Sequence, residues 1–447
     1  MKKLFSFLLT LMFTIFGFNG VYGCTKKTLL DPKNPVTLTM WHVYGEQADS
    51  PMNKQIEEFN QTVGKEKGII INVTLMSSAN YIGSKLLDAQ AGKAGVPNMP
   101  DLFFCHTNNA TDLGIENLIN WKDKFTTEEL NTYVDDFIAD GMVEDSLAVL
   151  PVSKSTHLLF IAGSVFDEFA TDTNVSYDDL STWDGFFTVA EKYYTWSGGQ
   201  PFCAIDFLLR CVELNAISKG ATNFYNEETG WYDFNNEILM QSYMQFANSI
   251  AKGHIVVSDL YSNTQIMTGQ VIAGIGSSAS ILYYNDKITY PDNTSIDMDL
   301  RILMLPQAGN ETNNYATQAG VGLCAYKTTK QKAEAIEVFA RWFTEEKRNL
   351  DFVASTGYMP VLNNSFNKIS TYQFKNDTYK KLYNALEETK ENCTLLPEPN
   401  ISGYWNNVYS LYDNIRTLQK NLDEKYKNGA TTESITEEIK NLFKIGK

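Results

Sequence analysis

The sequence predicts an α/β fold, an open and largely parallel sheet, built in two domains. Three observations predict it. Strand-like apolar runs alternate with amphipathic helical stretches from Val36 onward, 447 residues exceed one ordinary hydrophobic core, and no repeat or low-complexity tract breaks the pattern. With 43% hydrophobic and 20% charged residues the chain can bury enough apolar surface to exclude disorder outside its ends.

Residues 1–23 stand outside that fold. Lys2 and Lys3 precede an apolar run from Leu4 to Phe16, too short to span a bilayer comfortably, so the segment reads as an export signal. Val21-Tyr22-Gly23-Cys24, followed by Thr25-Lys26-Lys27, resembles a bacterial lipobox, with Tyr22 departing from the usual small residue. The resemblance implies removal of residues 1–23 and lipidation of Cys24, leaving the protein anchored by lipid to the outer face of the bacterial cytoplasmic membrane. Residues 24–35 carry Asp31-Pro32 and Asn34-Pro35 and suit an extended tether.

Val36 to Trp41 alternates apolar and polar as a strand does, and Met52, Ile56 and Phe59 fall on one face of a following helix. Ile69 to Met76 is the next strand, Tyr81 to Ala91 the next helix, and Asp101 to Cys105 a third strand. On an open parallel sheet, ligands bind at loops after the strand C-termini, which singles out Trp41 to Glu46 and His106 to Asn109. Leu150-Pro151 and Ser153 to Thr156 suit a crossover between domains. Leu158 to Ile161 restarts a strand, Ser181-Thr182-Trp183-Asp184 caps a helix to about Trp196, and Asn236 to Lys252 is amphipathic. Val271 to Ser278 reads as a buried strand opening into a Gly/Ser turn, Arg301 to Pro306 and Gly320 to Tyr326 as strands, and Gln331 to Glu346 as a helix. Ile401 to Lys447 is mostly helical, interrupted at Asn428-Gly429.

Without the leader, which removes two lysines, 35 basic side chains face 53 acidic ones, a net charge of −18. Nucleic acid is a poor partner for such a chain. Of the cysteines after Cys24, a Cys203–Cys211 disulfide is conceivable in an exported protein; otherwise Cys105, Cys203, Cys211, Cys324 and Cys393 serve as small buried hydrophobes. His42, His106, His157 and His254 form no HExxH or i,i+4 pair, and neither a P-loop nor a GxSxG elbow occurs, so no metal, cofactor or enzymatic activity is expected. A glycosidase using two carboxylates that sequence cannot pair is the alternative from another class.

Eight segments in order resemble family 1 of the bacterial extracellular solute-binding proteins, which includes maltose-binding and glycerol-3-phosphate-binding receptors. They are Thr39-Met40-Trp41-His42 with Gly45-Glu46; Pro100-Asp101-Leu102-Phe103; Leu150-Pro151 with Ser155-Thr156; Ser181-Thr182-Trp183-Asp184; Gly269 to Ser278; Leu305-Pro306; Gly320 to Leu323; and Thr356-Gly357-Tyr358-Met359-Pro360. The resemblance implies a type II periplasmic-binding-protein-like fold, two α/β lobes joined by a hinge with ligand in the cleft. By analogy residues 36–149 with 265–325 form lobe one, and 150–264 with 326–447 lobe two. It also implies a monomer that captures a sugar or short oligosaccharide and hands it to the permease of an ABC importer. Glycerol 3-phosphate or a glycerophosphodiester is the alternative cargo.

A sugar cleft needs flat apolar faces for ring C–H groups and a few fixed donors and acceptors for hydroxyls. The stacking candidates are Trp41, Tyr44, Tyr81, Tyr358 and Trp405; the polar candidates are Glu46, Asn108, Ser155, Asp206, Arg210, Ser277, Ser278 and Gly320. Simple helix capping competes for Ser277 and Ser278. Arg416, in a stretch resembling the C-terminal part of glycerol-phosphate receptors, would favour a phosphate or carboxylate if it faces the ligand.

Overall fold

Alternation places Val36–His42 in a strand that buries Val36, Leu38, Met40 and His42 on one face, and the Pro51–Gln61 helix covers it with Met52, Ile56 and Phe59. These elements belong to a computed structural model that describes residues 28–42, 44, 50–76, 79–226, 229–309, 313–399, 401 and 404–445. Cys24 and Glu46 lie outside the described residues. Val36–His42 pairs parallel with Ile69–Leu75 and with Leu102–Cys105, and Gly322–Ala325 closes the row antiparallel to Leu102–Cys105. The helix Lys330–Phe343 packs on this sheet.

A second sheet has the order Ile255–Val257, Cys203–Ile205, Ala273–Ser277, His157–Ala162, Leu300–Leu303. Its first three strands are parallel and its last two run against their neighbours. The strands at 273–277 and 300–303 therefore lie with those of 157–257, so of the 265–325 stretch expected in lobe one only the strand Gly322–Ala325 joins the first sheet. Likewise, the helix Lys330–Phe343, expected in lobe two, packs on the first sheet, whereas Asp377–Asn392 packs on the second. A short apolar run carries no mark of which sheet it joins, because only the distant partner strand decides that.

The chain passes between sheets through residues 148–157, returns through 304–321, and passes again through 366–377. Isolated bridges tie these connections together: Leu150 to Leu323, Ser155 to Ala319 and Lys154 to Met359. Tyr315–Gln318 in the returning segment pairs parallel with Thr394–Pro397. In this structure no disulfide joins any of the five described cysteines, and Cys203 and Cys211 pack in the core rather than bonding to one another.

Candidate functional site

The parallel strands of the second sheet end at one edge, and their loops face the matching edge of the first. Between them opens a cavity of about 670 Å³, continuous through shared walls at Asp206, Phe207, Tyr261, Thr264, Ser277 and Tyr358 with a second arm of about 560 Å³. A smaller recess of about 180 Å³ continues past Trp405, Gly320, His106 and Glu398. These volumes suit a ligand of several hundred daltons.

Asp206 follows the strand Cys203–Ile205. Its carboxylate accepts hydrogen bonds from Ser258 Oγ (2.5 Å), Ser262 N (2.8 Å) and Ser262 Oγ (2.9 Å), which fix its orientation. Two bonds fall on Oδ1 and one on Oδ2, so a carboxylate with about four lone-pair directions keeps one acceptor position for a ligand. Burial raises its pKa to about 6, against the opposing hydrogen bonds and the Arg416 charge.

Phe207 comes next and stacks face to face on the His157 imidazole, with centroids 4.1 Å apart. Burial drives the His157 pKa down to about 3, so that ring is neutral, and its Nδ1 has no hydrogen-bond partner among the described residues. Across the cleft, His106 Nδ1 lies 3.2 Å from Glu398 Oε2, joining the start of the first lobe's Thr107–Leu113 helix to the end of the Thr394–Pro397 strand. Burial pushes the Glu398 pKa up, but the imidazole of His106 and the Arg210 guanidinium outweigh it and hold the carboxyl low.

Tyr44 is positioned by local chemistry. His42, with its pKa lowered to about 4 by burial, bonds Asn53 Oδ1 through Nε2 and accepts the Tyr44 backbone N–H at Nδ1 (3.2 Å). The Tyr44 hydroxyl lies 2.8 Å from Ser153 Oγ, and its ring meets Tyr358 edge to face at 5.7 Å. Gly357 holds the turn before Tyr358 at φ +78°, and a Cβ there would lie 2.6 Å from the Ser278 carbonyl oxygen.

The helix Tyr404–Lys420 presents Trp405, Tyr409, Tyr412 and Arg416 to the main cavity. Trp405 and Tyr409 stack at 5.8 Å, and Tyr412 accepts the Leu209 N–H. Arg416 reaches the cavity, with Nε donating to Ser258 O (2.6 Å) and Nη1 paired with Asp413 (2.9 Å). Leu260, Tyr261, Tyr283 and Tyr409, large side chains left exposed, stand around the opening.

Of the expected residues, Tyr44, Asn108, Ser155, Asp206, Ser277, Gly320, Tyr358, Trp405 and Arg416 line this connected cleft. Ser277 also caps the following turn, accepting the Ala279 N–H at 3.3 Å. Three expectations need correction. Trp41 points to the opposite face of its strand and is buried among Met76, Ile82 and Leu86. Arg210 is buried in an ion pair with Glu213 and donates to the carbonyls of Leu396 and Pro397, because its helix is enclosed almost all round. Ser278 is fully buried, its N–H bonded to the Thr156 carbonyl. Tyr81 lies in the helix Ala79–Gln90, and its side chain is outside the description.

Phe207, Leu260, Tyr261, Tyr283, His157, Glu398, Tyr409 and Tyr412 were not among the expected residues. A signal existed for two of them: Trp405, Tyr409, Tyr412 and Arg416 recur at helical spacing and mark one face. Leu260 and Tyr261 follow the three-residue strand Ile255–Val257, too short to reveal its binding edge. Among the described residues no group of His, Cys, Asp and Glu could hold a metal ion, and no helix is long and apolar enough to cross a membrane.

A family model described as bacterial extracellular solute-binding protein matches residues 54–381. Among solved structures, the cyclic alpha-maltosyl-1,6-maltose binding protein of Arthrobacter globiformis superposes with a TM-score of 0.67 at 13% identity, covering 92% of this chain and 99% of that one. UgpB of Mycobacterium tuberculosis, in complex with glycerophosphocholine, gives 0.66 at 16% identity, covering 92% and 98%. Maltose-bound MalE3 of T. maritima gives 0.63 at 16% identity, covering 92% and 99%. At such identities the likeness is one of fold. No curated protein matches the sequence.

Proposed function

The chain belongs to the bacterial extracellular solute-binding proteins, and from that premise we propose that it captures a neutral saccharide or short oligosaccharide and delivers it to the permease of an ABC importer. The observation that carries this reading is the pairing of aromatic faces with one oriented, incompletely used carboxylate in a single cleft. Phe207, Tyr261, Tyr358 and Trp405 offer faces for sugar C–H groups, while Asp206 offers a fixed acceptor for a hydroxyl. Solved structures of the same fold are described with maltose and with glycerophosphocholine, so the fold alone does not choose the cargo.

The charge around the cavity favours the neutral ligand. Asp206, Asp259 and Glu398 line it with Arg416; Asp259 is paired with Lys420 and Glu398 with His106, Arg416 is already engaged by Ser258 and Asp413, and Asp206 has only hydroxyl and amide donors on its carboxylate. A phosphodiester would have to displace the partners of Arg416 and approach the carboxylate of Asp206. Capture follows hinge closure: contacts to both lobes form together only when the cleft shuts, so ligand shifts the population toward the closed form that a permease reads. In this reading the protein is a monomer without catalytic activity, held at the membrane by lipid on Cys24.

The test is a calorimetric titration of the exported chain with neutral oligosaccharides, glycerol 3-phosphate and glycerophosphocholine. Heat with a neutral saccharide and none with the phosphorylated compounds is expected. A response confined to the phosphorylated compounds would replace the cargo, and release of reducing sugar from an oligosaccharide would make the protein a glycosidase.

A further inference from the structure

We infer that Cys105 and Cys324 are joined by a disulfide in the exported protein. The argument is independent of the cargo and rests on geometry and on the extracellular setting of the family. Cys105 ends the strand Leu102–Cys105 and Cys324 lies in its antiparallel neighbour Gly322–Ala325. In the register Cys105 opposes Gly322 and Cys324 opposes Phe103, so the two thiols sit on one face of the sheet, diagonal to one another. Their sulfurs are 3.4 Å apart, and both residues are fully buried among Trp41, Phe103 and Val149. Closing to a bond of about 2.05 Å asks for roughly 1.4 Å of approach, and because diagonal neighbours stand about 7 Å apart at Cα, near the upper limit a disulfide spans, a small shift of the two strands supplies part of it. Outside the cell such a pair is oxidised rather than held reduced.

The reaction is thiol–disulfide exchange with an extracytoplasmic disulfide donor, RSSR. One Cys thiolate attacks a donor sulfur and expels RS⁻; the second Cys thiolate attacks the mixed disulfide and expels the other RS⁻. Two protons from the cysteines pass to the two leaving thiolates, and the two electrons reduce the donor. Since both sulfurs are sealed in the fold, exchange occurs before Gly322–Ala325 docks or during its local opening. The bond would close a loop spanning 219 positions and containing the whole second sheet. It would also pin the strand from which Leu323 bridges the hinge segment at Leu150 and accepts the Trp121 indole N–H at 3.0 Å.

The test is peptide mapping of protein recovered from the outside of the producing cells, alkylated under denaturing conditions with and without prior reduction. The expected result is a Cys105–Cys324 linked peptide pair, two mass units below the sum of the reduced peptides, with Cys203, Cys211 and Cys393 alkylated without reductant. A reductant should lower the thermal midpoint of the natural chain by several degrees and leave Cys324→Ala unmoved. Full alkylation of Cys105 and Cys324 without reduction overturns the inference, as does linkage of either to another cysteine.

Discussion

Asp206 concentrates at one residue the chemistry proposed for the cleft. Burial raises its pKa from 3.8 to about 6. The fold thus favours the protonated acid, and the stability this contributes is full below pH 3.8 and lost as pH rises through 6, about 3 kcal/mol at most. A sugar hydroxyl donating into the open acceptor position favours the ionised form instead. Ligand binding should therefore release a proton near pH 5, and affinity should rise about tenfold between pH 5 and 7.5 as the carboxyl ionises. Titrations at the two pH values, in buffers of different ionisation enthalpy, check both effects. Asp206→Asn should flatten the pH dependence, and a dependence that persists would assign it to another group. Tyr358, whose ring lines both arms of the cleft, is the second residue to alter. Tyr358→Ala should weaken saccharide binding by about 5- to 150-fold, on the order of 1 to 3 kcal/mol, without unfolding the chain. Unchanged affinity would remove the ring from the site.

Among the elements, the helix Leu208–Ser218 shows why a charged residue after a strand is a poor guide to a binding loop. Arg210 and Glu213 both lie inside it, and the hydroxyls of Tyr225, Tyr232 and Tyr404 donate to Glu213 Oε1. Arg210 also holds the carbonyls of Leu396 and Pro397, so the network sets the strand that carries Glu398 to the cleft. Arg210→Met should cost about 3 to 5 kcal/mol, because Glu213 would stay buried without its countercharge. Urea unfolding measures it, and a loss under 1 kcal/mol would mean that the tyrosine hydroxyls suffice. Other elements were legible because their signals are local. Thr182 caps Trp183–Trp196 and Asn236 caps Glu237–Ala251 through side-chain oxygens, as the residue types announce. The three-residue strands Cys203–Ile205 and Ile255–Val257 have too little length to show a period.

At the scale of the whole molecule, three connections between two sheets make a hinge, and ligand contacts from both sides should close it. Small-angle scattering should record a smaller radius of gyration with saturating saccharide, and a ligand at 100 times its dissociation constant should add about 2.7 kcal/mol and raise the thermal midpoint. Tighter binding with no change in radius would favour a cleft already closed. The α/β class, the longer strands and helices, the capped helices and the aromatic residues a solute site needs are all legible along the chain, because they follow from periodicity and side-chain chemistry within a few turns. Long-range pairing alone sets 273–303 in the second sheet, turns Trp41 and Arg210 inward, and brings Phe207, Tyr261 and Glu398 to one cleft. Those outcomes depend on pairing between segments tens to hundreds of residues apart, where every apolar run competes for the same partners and local pattern cannot rank them.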